Sequence, residues 1–293
     1  MTSLDTANNG QGKTIRSSLF LDALRRLRKN RLALAGGSLI LLFLILAIFA
    51  NLISPYDPLK QDWRSIQQSP SREHWFGTDE LGRDLLSRVI HGARISMTIG
   101  VISVSIGLFF GTVIGLVAGY FGGFIDNLLM RLMDIMLTIP YVLLAIAIVA
   151  ILGPGLWNTM IAIGIVTIPQ FARIVRSSVI ELKTTDYVES ARALGAGHLR
   201  IMFRHILINS LSPIIVQSTL TIASAILNAA ALGFLGLGAQ PPVPEWGVML
   251  SDGRLLLLVS PWIVTFPGIA IMLSVLGFNM LGDGLRDALD PRC

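Results

Sequence analysis

Apolar residues in this chain run in long unbroken stretches, without the two-residue alternation of a half-buried strand. Residues 32–56, 95–125, 135–172, 205–244 and 255–282 contain no Asp, Glu, Lys or Arg. An α-helix rises about 1.5 Å per residue and must cross about 30 Å of hydrocarbon, so one crossing takes about 20 residues. The run 32–56 is apolar to Ile53 and predicts span one, and 95–125, ending near Gly119–Gly123, predicts span two. Residues 135–172 are too many for one crossing and are cut by Gly153-Pro154-Gly155, a turn-forming triplet that divides them into spans three and four. Pro213 and the Gly/Pro-rich stretch 236–244 bracket span five at about 214–235, and span six starts near Pro261. Backbone groups in hydrocarbon must be satisfied within the protein, so the pattern predicts an all-α integral membrane bundle of six spans.

Composition agrees and narrows the possibilities. Hydrophobic residues make up 53% of the 293, charged residues only 14%, and mean hydropathy is +0.69. A soluble domain carries about a quarter charged residues, so an ordinary soluble enzyme is excluded. The net charge of +5 is small and dispersed, which argues against nucleic acid as a partner. Six spans put both termini on one side. With the termini inside, segments 1–31, 119–134, 173–204 and 283–293 hold 16 Lys and Arg, and segments 54–94 and 236–260 hold 7. The positive-inside rule therefore predicts cytoplasmic termini. The single cysteine, Cys293, excludes an intrachain disulfide. The first apolar run exceeds the roughly 7–15 residues of a signal-peptide core and reads as a retained span. The chain thus divides into a cytoplasmic tail, 1–30, polar and expected to be disordered over 1–12, and a transmembrane domain, 31–293. That domain has an outer loop at 54–94 and a long cytoplasmic loop at 173–212.

Several local patterns bear on function. Gly107, Gly111, Gly115 and Gly119 recur every four residues and form one row on a helix. Small residues let helix backbones approach closely, either as static packing or as a sliding surface beside a path. Arg131 and Asp134 are spaced to pair on one helix face. Asn158, Gln217 and Asn228 are polar residues in the spans, able to line a pathway or to bond between helices. After Asp84, an apolar stripe of Leu85, Leu86, Val89 and Ile90 predicts an amphipathic helix leading toward span two, either an elbow or an external docking element. In the cytoplasmic loop, Asp186 and Glu189 have the spacing of a capping box and Gly195 supplies a stop, which predicts a short isolated helix over 187–194. Such a helix on the inner face could receive force from a soluble motor, and a plain loop helix would look the same.

The chain lacks a Gly-x-x-x-x-Gly-Lys-Ser/Thr phosphate loop and a Gly-x-Ser-x-Gly elbow. Its four histidines, His74, His91, His198 and His205, lack metal-ligand spacing. It reads as a conduit, with a self-contained channel or secondary transporter as the alternative of a different class.

Four stretches carry a resemblance. They are His-Trp-Phe-Gly-Thr-Asp-Glu-Leu-Gly-Arg-Asp-Leu-Leu-Ser-Arg at 74–88, Glu-Ser-Ala-Arg-Ala-Leu-Gly at 189–195, Leu-Gly-Phe-Leu-Gly-Leu-Gly-Ala-Gln-Pro-Pro-Val-Pro-Glu-Trp-Gly at 232–247, and Phe-Asn-Met-Leu-Gly-Asp-Gly-Leu-Arg-Asp-Ala-Leu-Asp-Pro-Arg at 278–292. In these the chain resembles the permease subunit of ABC importers of the dipeptide, oligopeptide and nickel group, over nearly its whole length. The resemblance implies the type I importer permease fold in a bacterial plasma (inner) membrane. It implies that Asp186, Tyr187, Glu189, Ser190, Ala191, Leu194 and Gly195 form a coupling helix seated on a cytoplasmic ATPase. It further implies a second homologous permease, two ATPases and an external solute-binding protein as partners, with lipid around the spans. ATP and Mg would be bound by the ATPases, leaving this chain without cofactor or catalysis. Short peptides are the implied cargo; nickel, a nickel chelate or a glutathione-like peptide is the alternative. Ser190 stands where the motif has its first Ala, and Ile208 stands where the group usually has Pro, so a kink there is expected from Pro213.

Overall fold

The computed structural model describes residues 27, 28 and 30–289. The tail 1–12 and Cys293 lie outside the described residues. Among those described, secondary structure is helical, with one isolated bridge between Thr78 and Asp84. Helix α1, Arg31–Ile48, starts where the Asn30 side chain accepts from the N–H groups of Leu32 and Ala33 at 3.0 and 3.2 Å. It breaks at Phe49 and resumes as α2, Ala50–Ile53. The main helices that follow are α3, Leu85–Phe121; α4, Gly123–Thr138; α5, Tyr141–Leu152; α6, Leu156–Leu182; α7, Asp186–Ala193; and α8, His198–Arg200. A π turn, Ile201–Ile206, and a 3-10 turn, Leu207–Ser210, lead into α9, Leu211–Phe234. Then come α10, Trp246–Gly253, and α11, Trp262–Leu289.

Five helical stretches are long and apolar enough to cross a membrane, and a sixth crossing is counted if α4 and α5 act as one. That pair corrects the expected third span, which was drawn as a single helix. The chain bends by 94° between α4 and α5, at Ile139-Pro140. Proline lacks an N–H and forces the residue before it out of the helical region, and Ile139 sits at φ −89°, ψ 129°. The predicted amphipathic helix also differs. It is the first part of α3, whose 37 residues at about 1.5 Å each outreach the hydrocarbon by a wide margin. Loop residues 54–84 fold over it and bury its polar side too, Ser87 and Arg88 as fully as Leu85, so both of its faces pack within the chain.

The core is built on α3 against α6, running parallel. A Cβ on Gly111 would stand 2.5 Å from Phe171 Cβ, one on Gly115 2.5 Å from the Ala172 carbonyl and one on Gly119 2.8 Å from Val179 Cβ, while one on Gly107 would strike Thr167. The glycine row is therefore where two backbones meet in lipid. α1 lies antiparallel to α11, with Gly36 against Gly277 and Leu281. Trp246 is fully buried between α1, α3 and α9, its Nε1–H donating to the Val89 carbonyl at 3.0 Å and its ring edge-on to Phe43.

The bundle has two distinct ends. At one, here the cap end, residues 54–84 cover the starts of α3 and α11, and Trp262 Nε1–H donates to the Thr78 carbonyl at 3.2 Å. The link after α9 closes the same end, where Gly155 N–H donates to the Leu237 carbonyl at 3.2 Å. At the other end stand α7 and the turns before α9, together with the Asn30–Asp287 side-chain bond of 3.2 Å.

Candidate functional site at the α7 end

Thr185, with extended backbone at φ −81° and ψ 147°, is the N-cap of α7. Its hydroxyl donates backward to the Leu182 carbonyl at 2.6 Å. Asp186 is thus the first helical residue, and the expected Asp186–Glu189 capping box is not made: α7 has no side-chain cap bond. Both acids still lie in the first turn and Arg192 in the last, each favoured there by the helix dipole. The far end closes on Gly195 at φ +82°. Its N–H donates to the Arg192 carbonyl at 2.9 Å and that of Ala196 to the Ala191 carbonyl at 3.0 Å, the two bonds of a Schellman stop. A Cβ on Gly195 would meet nothing within 4 Å. Glycine is needed there for its backbone conformation alone.

One side chain roots the helix. Val188 is fully buried among Leu116, Val175, Val179, Ile201, Met202 and Ile206. The Tyr187 hydroxyl accepts from Asn209 Nδ2 at 3.2 Å, tying α7 to the 3-10 turn. Asp186, Glu189, Ser190, Leu194 and Gly195 are exposed, and Ala191 is half-buried. Leu194 is 88% exposed, with Leu199 and Phe203 also open in the next segment. Apolar side chains held out beside acidic ones on a rooted helix form a surface suited to a protein partner. Val188 touches both the α3–α6 pair and the irregular turns before α9, so displacement of α7 reaches both. The non-α stretch falls at 201–210, ahead of Pro213, which lies in the first turn of α9 where its missing N–H costs little.

The other expected residues are placed separately. Asn158 Nδ2 donates to the Leu152 and Gly153 carbonyls at 2.9 and 3.0 Å, closing the end of α5. Gln217 and Asn228 share the open side of α9, Gln217 bonding Thr221 at 3.0 Å and Asn228 the Ser224 carbonyl at 2.7 Å. Asp134 pairs with Arg173 of α6 at 2.6 Å, where pairing with Arg131 was expected. Asp126 and Arg176 form a bidentate pair at 2.5 and 2.6 Å.

The cap end holds a cluster that sequence reading missed. Asp79 Oδ2 lies 2.6 Å from Arg83 Nε and 3.3 Å from Arg88 Nε, all three residues buried. Asp84 accepts from the Ser87 N–H at 2.8 Å and stands 2.9 Å from His74 Nδ1. Burial pushes the Glu80 and Asp252 carboxyls up; the Asp252 charge adds to the rise at Glu80, and the Asp79 charge adds to it at both. Glu245, also buried, accepts from the Gly247 and Val248 N–H groups, each at 2.9 Å. Loss of water raises its pKa to about 7 against the opposing pull of those two bonds. The i, i+4 spacing of Asp79 and Arg83 was the available signal.

An all-helical bundle whose helices are long and apolar enough to span a membrane, with a rooted helix exposed at one end, is the architecture of an integral membrane protein. The family model of the binding-protein-dependent transport system inner membrane component matches residues 111–293, and the chain belongs to that family of ABC importer permeases. A second model, the N-terminal TM domain of oligopeptide transport permease C, matches residues 18–70. The chain is 55% identical over 271 residues to the dipeptide transport system permease protein DppC of Alkalihalophilus pseudofirmus, covering 92% of this chain and 89% of that one. It is 53% identical to the di/tripeptide transport system permease protein DppC of Pseudomonas aeruginosa, covering 90% and 89%. With the glutathione transport system permease protein GsiD of Pectobacterium atrosepticum identity is 47%, covering 92% and 89%. Among solved structures, the inward-facing MetNI methionine ABC transporter shares the fold with a TM-score of 0.59 at 17% identity, over 70% of this chain and 98% of that one. The resemblance seen in the four sequence stretches is thus met across the chain.

Proposed function

We propose that this chain is one half of the translocation pathway of an ATP-driven importer of short peptides. Its termini lie in the cytoplasm of a bacterial cell and α7 seats on an ATPase subunit. Three relatives named for dipeptide, di/tripeptide and glutathione transport support the cargo class, glutathione being itself a tripeptide. The observation that carries the coupling role is α7 itself, exposed along most of its length yet rooted by Val188 in the cluster that joins α3, α6 and α9. ATP-driven closure of two ATPases would move two such helices, one on each permease. The shift passes through Val188 to the π and 3-10 turns, the part of the path to α9 with the weakest regular bonding. The open side of α9, with Gln217, Ser224 and Asn228, would then face the second permease and offer amide and hydroxyl groups to a peptide backbone. Such groups bond any peptide main chain, so side-chain selectivity falls to the external binding protein.

The test is uptake into proteoliposomes. The chain reconstituted with its second permease, two ATPases and binding protein is expected to accumulate a radiolabelled dipeptide only when ATP is supplied. Accumulation by this chain alone without ATP would make it a secondary transporter or channel. ATP-driven uptake of nickel without peptide would move the cargo class.

A further inference from the structure

We infer that the groove between α1 and α3 is a binding site for an anionic phospholipid, with its phosphate on Arg94 and an acyl chain along the helix pair. The groove encloses about 410 Å³ and is lined by Leu44, Ala47, Ile48, Met97, Val101 and Ile102, with Arg94 and Thr98 as its polar members. Arg94 is the only ionisable side chain in that lining, and among the described residues it pairs with no carboxylate. It is the last charged residue before the charge-free run 95–125. That places its guanidinium at the edge of the hydrocarbon, where lipid phosphates lie.

The local geometry explains why the cation is held there. α1 breaks at Phe49, which frees carbonyls at its end. Arg94 Nε–H donates to the Ala47 carbonyl at 2.8 Å and Nη2–H to that of Ile48 at 3.2 Å. A guanidinium has five N–H donors, so the remaining ones point to an acceptor outside the chain. Thr98 spends its hydroxyl proton on the Arg94 carbonyl at 2.7 Å and cannot compete for that acceptor. Val101 and Ile102 lie seven and eight residues farther along α3, about 11 Å deeper into the apolar layer. One positive charge at the boundary above a largely apolar trough complements a molecule with one anionic head and a long apolar tail. The flank of a second permease is the other possible occupant, and it would have to bring an acceptor to Arg94 and an apolar ridge to the groove together, as a single lipid molecule does by itself.

The full chain, purified in detergent with equal phosphatidylglycerol and phosphatidylcholine, is to be weighed by native mass spectrometry. Wild type is expected to retain phosphatidylglycerol by about fivefold over phosphatidylcholine, the factor one surface cation supplies. Arg94→Gln should abolish the preference. Val101→Trp, at a position open on the groove, should displace the lipid with the Arg94 bonds intact and so separates lipid loss from damage to α1. Equal retention of the two lipids by wild type, or an undiminished preference in both variants, overturns the site. A photoreactive residue at Val101 in the assembled transporter is expected to label lipid; labelling of the second permease instead also overturns it.

Discussion

The two ends of this bundle are built by opposite means. The cap end is tied inward: Asp79, Arg83, Arg88, Asp84 and Glu245 are all buried, and nearly every polar group there has a partner within the chain. At the other end the helix α7 is tied at few points, with Val188 as its one buried side chain and its acids and Leu194 left open. A buried ionic network is rigid because removing one member strands the others without water. A helix anchored by one valine is free to take its remaining contacts from elsewhere. The comparison implies that the cap end keeps its shape while the α7 end completes itself with a partner.

Mutations can break that contrast, beginning with the largest effect. Asp79→Ala leaves Arg83 and Arg88 buried without their carboxylate and should cost about 3–5 kcal/mol, read as a lowered thermal midpoint and reduced folded yield in detergent. Gly111→Val drives a side chain into Phe171 and the Ile168 carbonyl and should cost about 1–3 kcal/mol, measured the same way. Gly195→Ala has open space but forces a Cβ into the left-handed region. Its cost, about 1–2 kcal/mol, should appear as faster amide exchange confined to α7 while the spans stay protected. If destabilisation there spread through the bundle, the two ends would not be separable.

A pH series sharpens the same point. The folded pKa of Glu245 is raised from 4.5 to about 7, so the folded state holds its proton more tightly than the unfolded one. The sign follows from linkage: stability is fullest below about 4.5 and falls as pH rises toward 7. Glu80 and Asp252 are shifted in the same direction. Amide protection of α10 is therefore expected to rise as pH is lowered from 8 toward 5, and Glu245→Gln should flatten that dependence. Protection of α7 should not follow, since no comparable buried acid is found there.

How much was legible in the sequence divides along the same line. The spans could be counted because hydrocarbon demands long uncharged runs, and the glycine row could be seen because four-residue spacing survives any tertiary context. The short helix before Gly195 was visible for the same local reason. Its cap was not, since Thr185, Asp186 and Ser190 all suit helix starts and only the backbone angles choose among them. The break at Pro140 was written in the residue, but a 38-residue apolar run was divided at the stronger Gly-Pro-Gly signal. The buried charges of the cap end were missed although Asp79, Arg83 and Arg88 lie within ten residues of one another, because nothing local shows that the loop folds over them and removes them from water. Periodicity reports which face is apolar, and it does not report what folds over the other.

The coupling role of α7 is the central claim, and one substitution tests it with the fold left intact. Glu189 is exposed and makes no bond that holds the bundle together. In proteoliposomes holding the whole transporter, Glu189→Lys is expected to leave insertion and assembly unchanged while dipeptide uptake falls at least about tenfold and ATP hydrolysis no longer responds to the loaded binding protein. Uptake and stimulated hydrolysis equal to wild type would contradict the account.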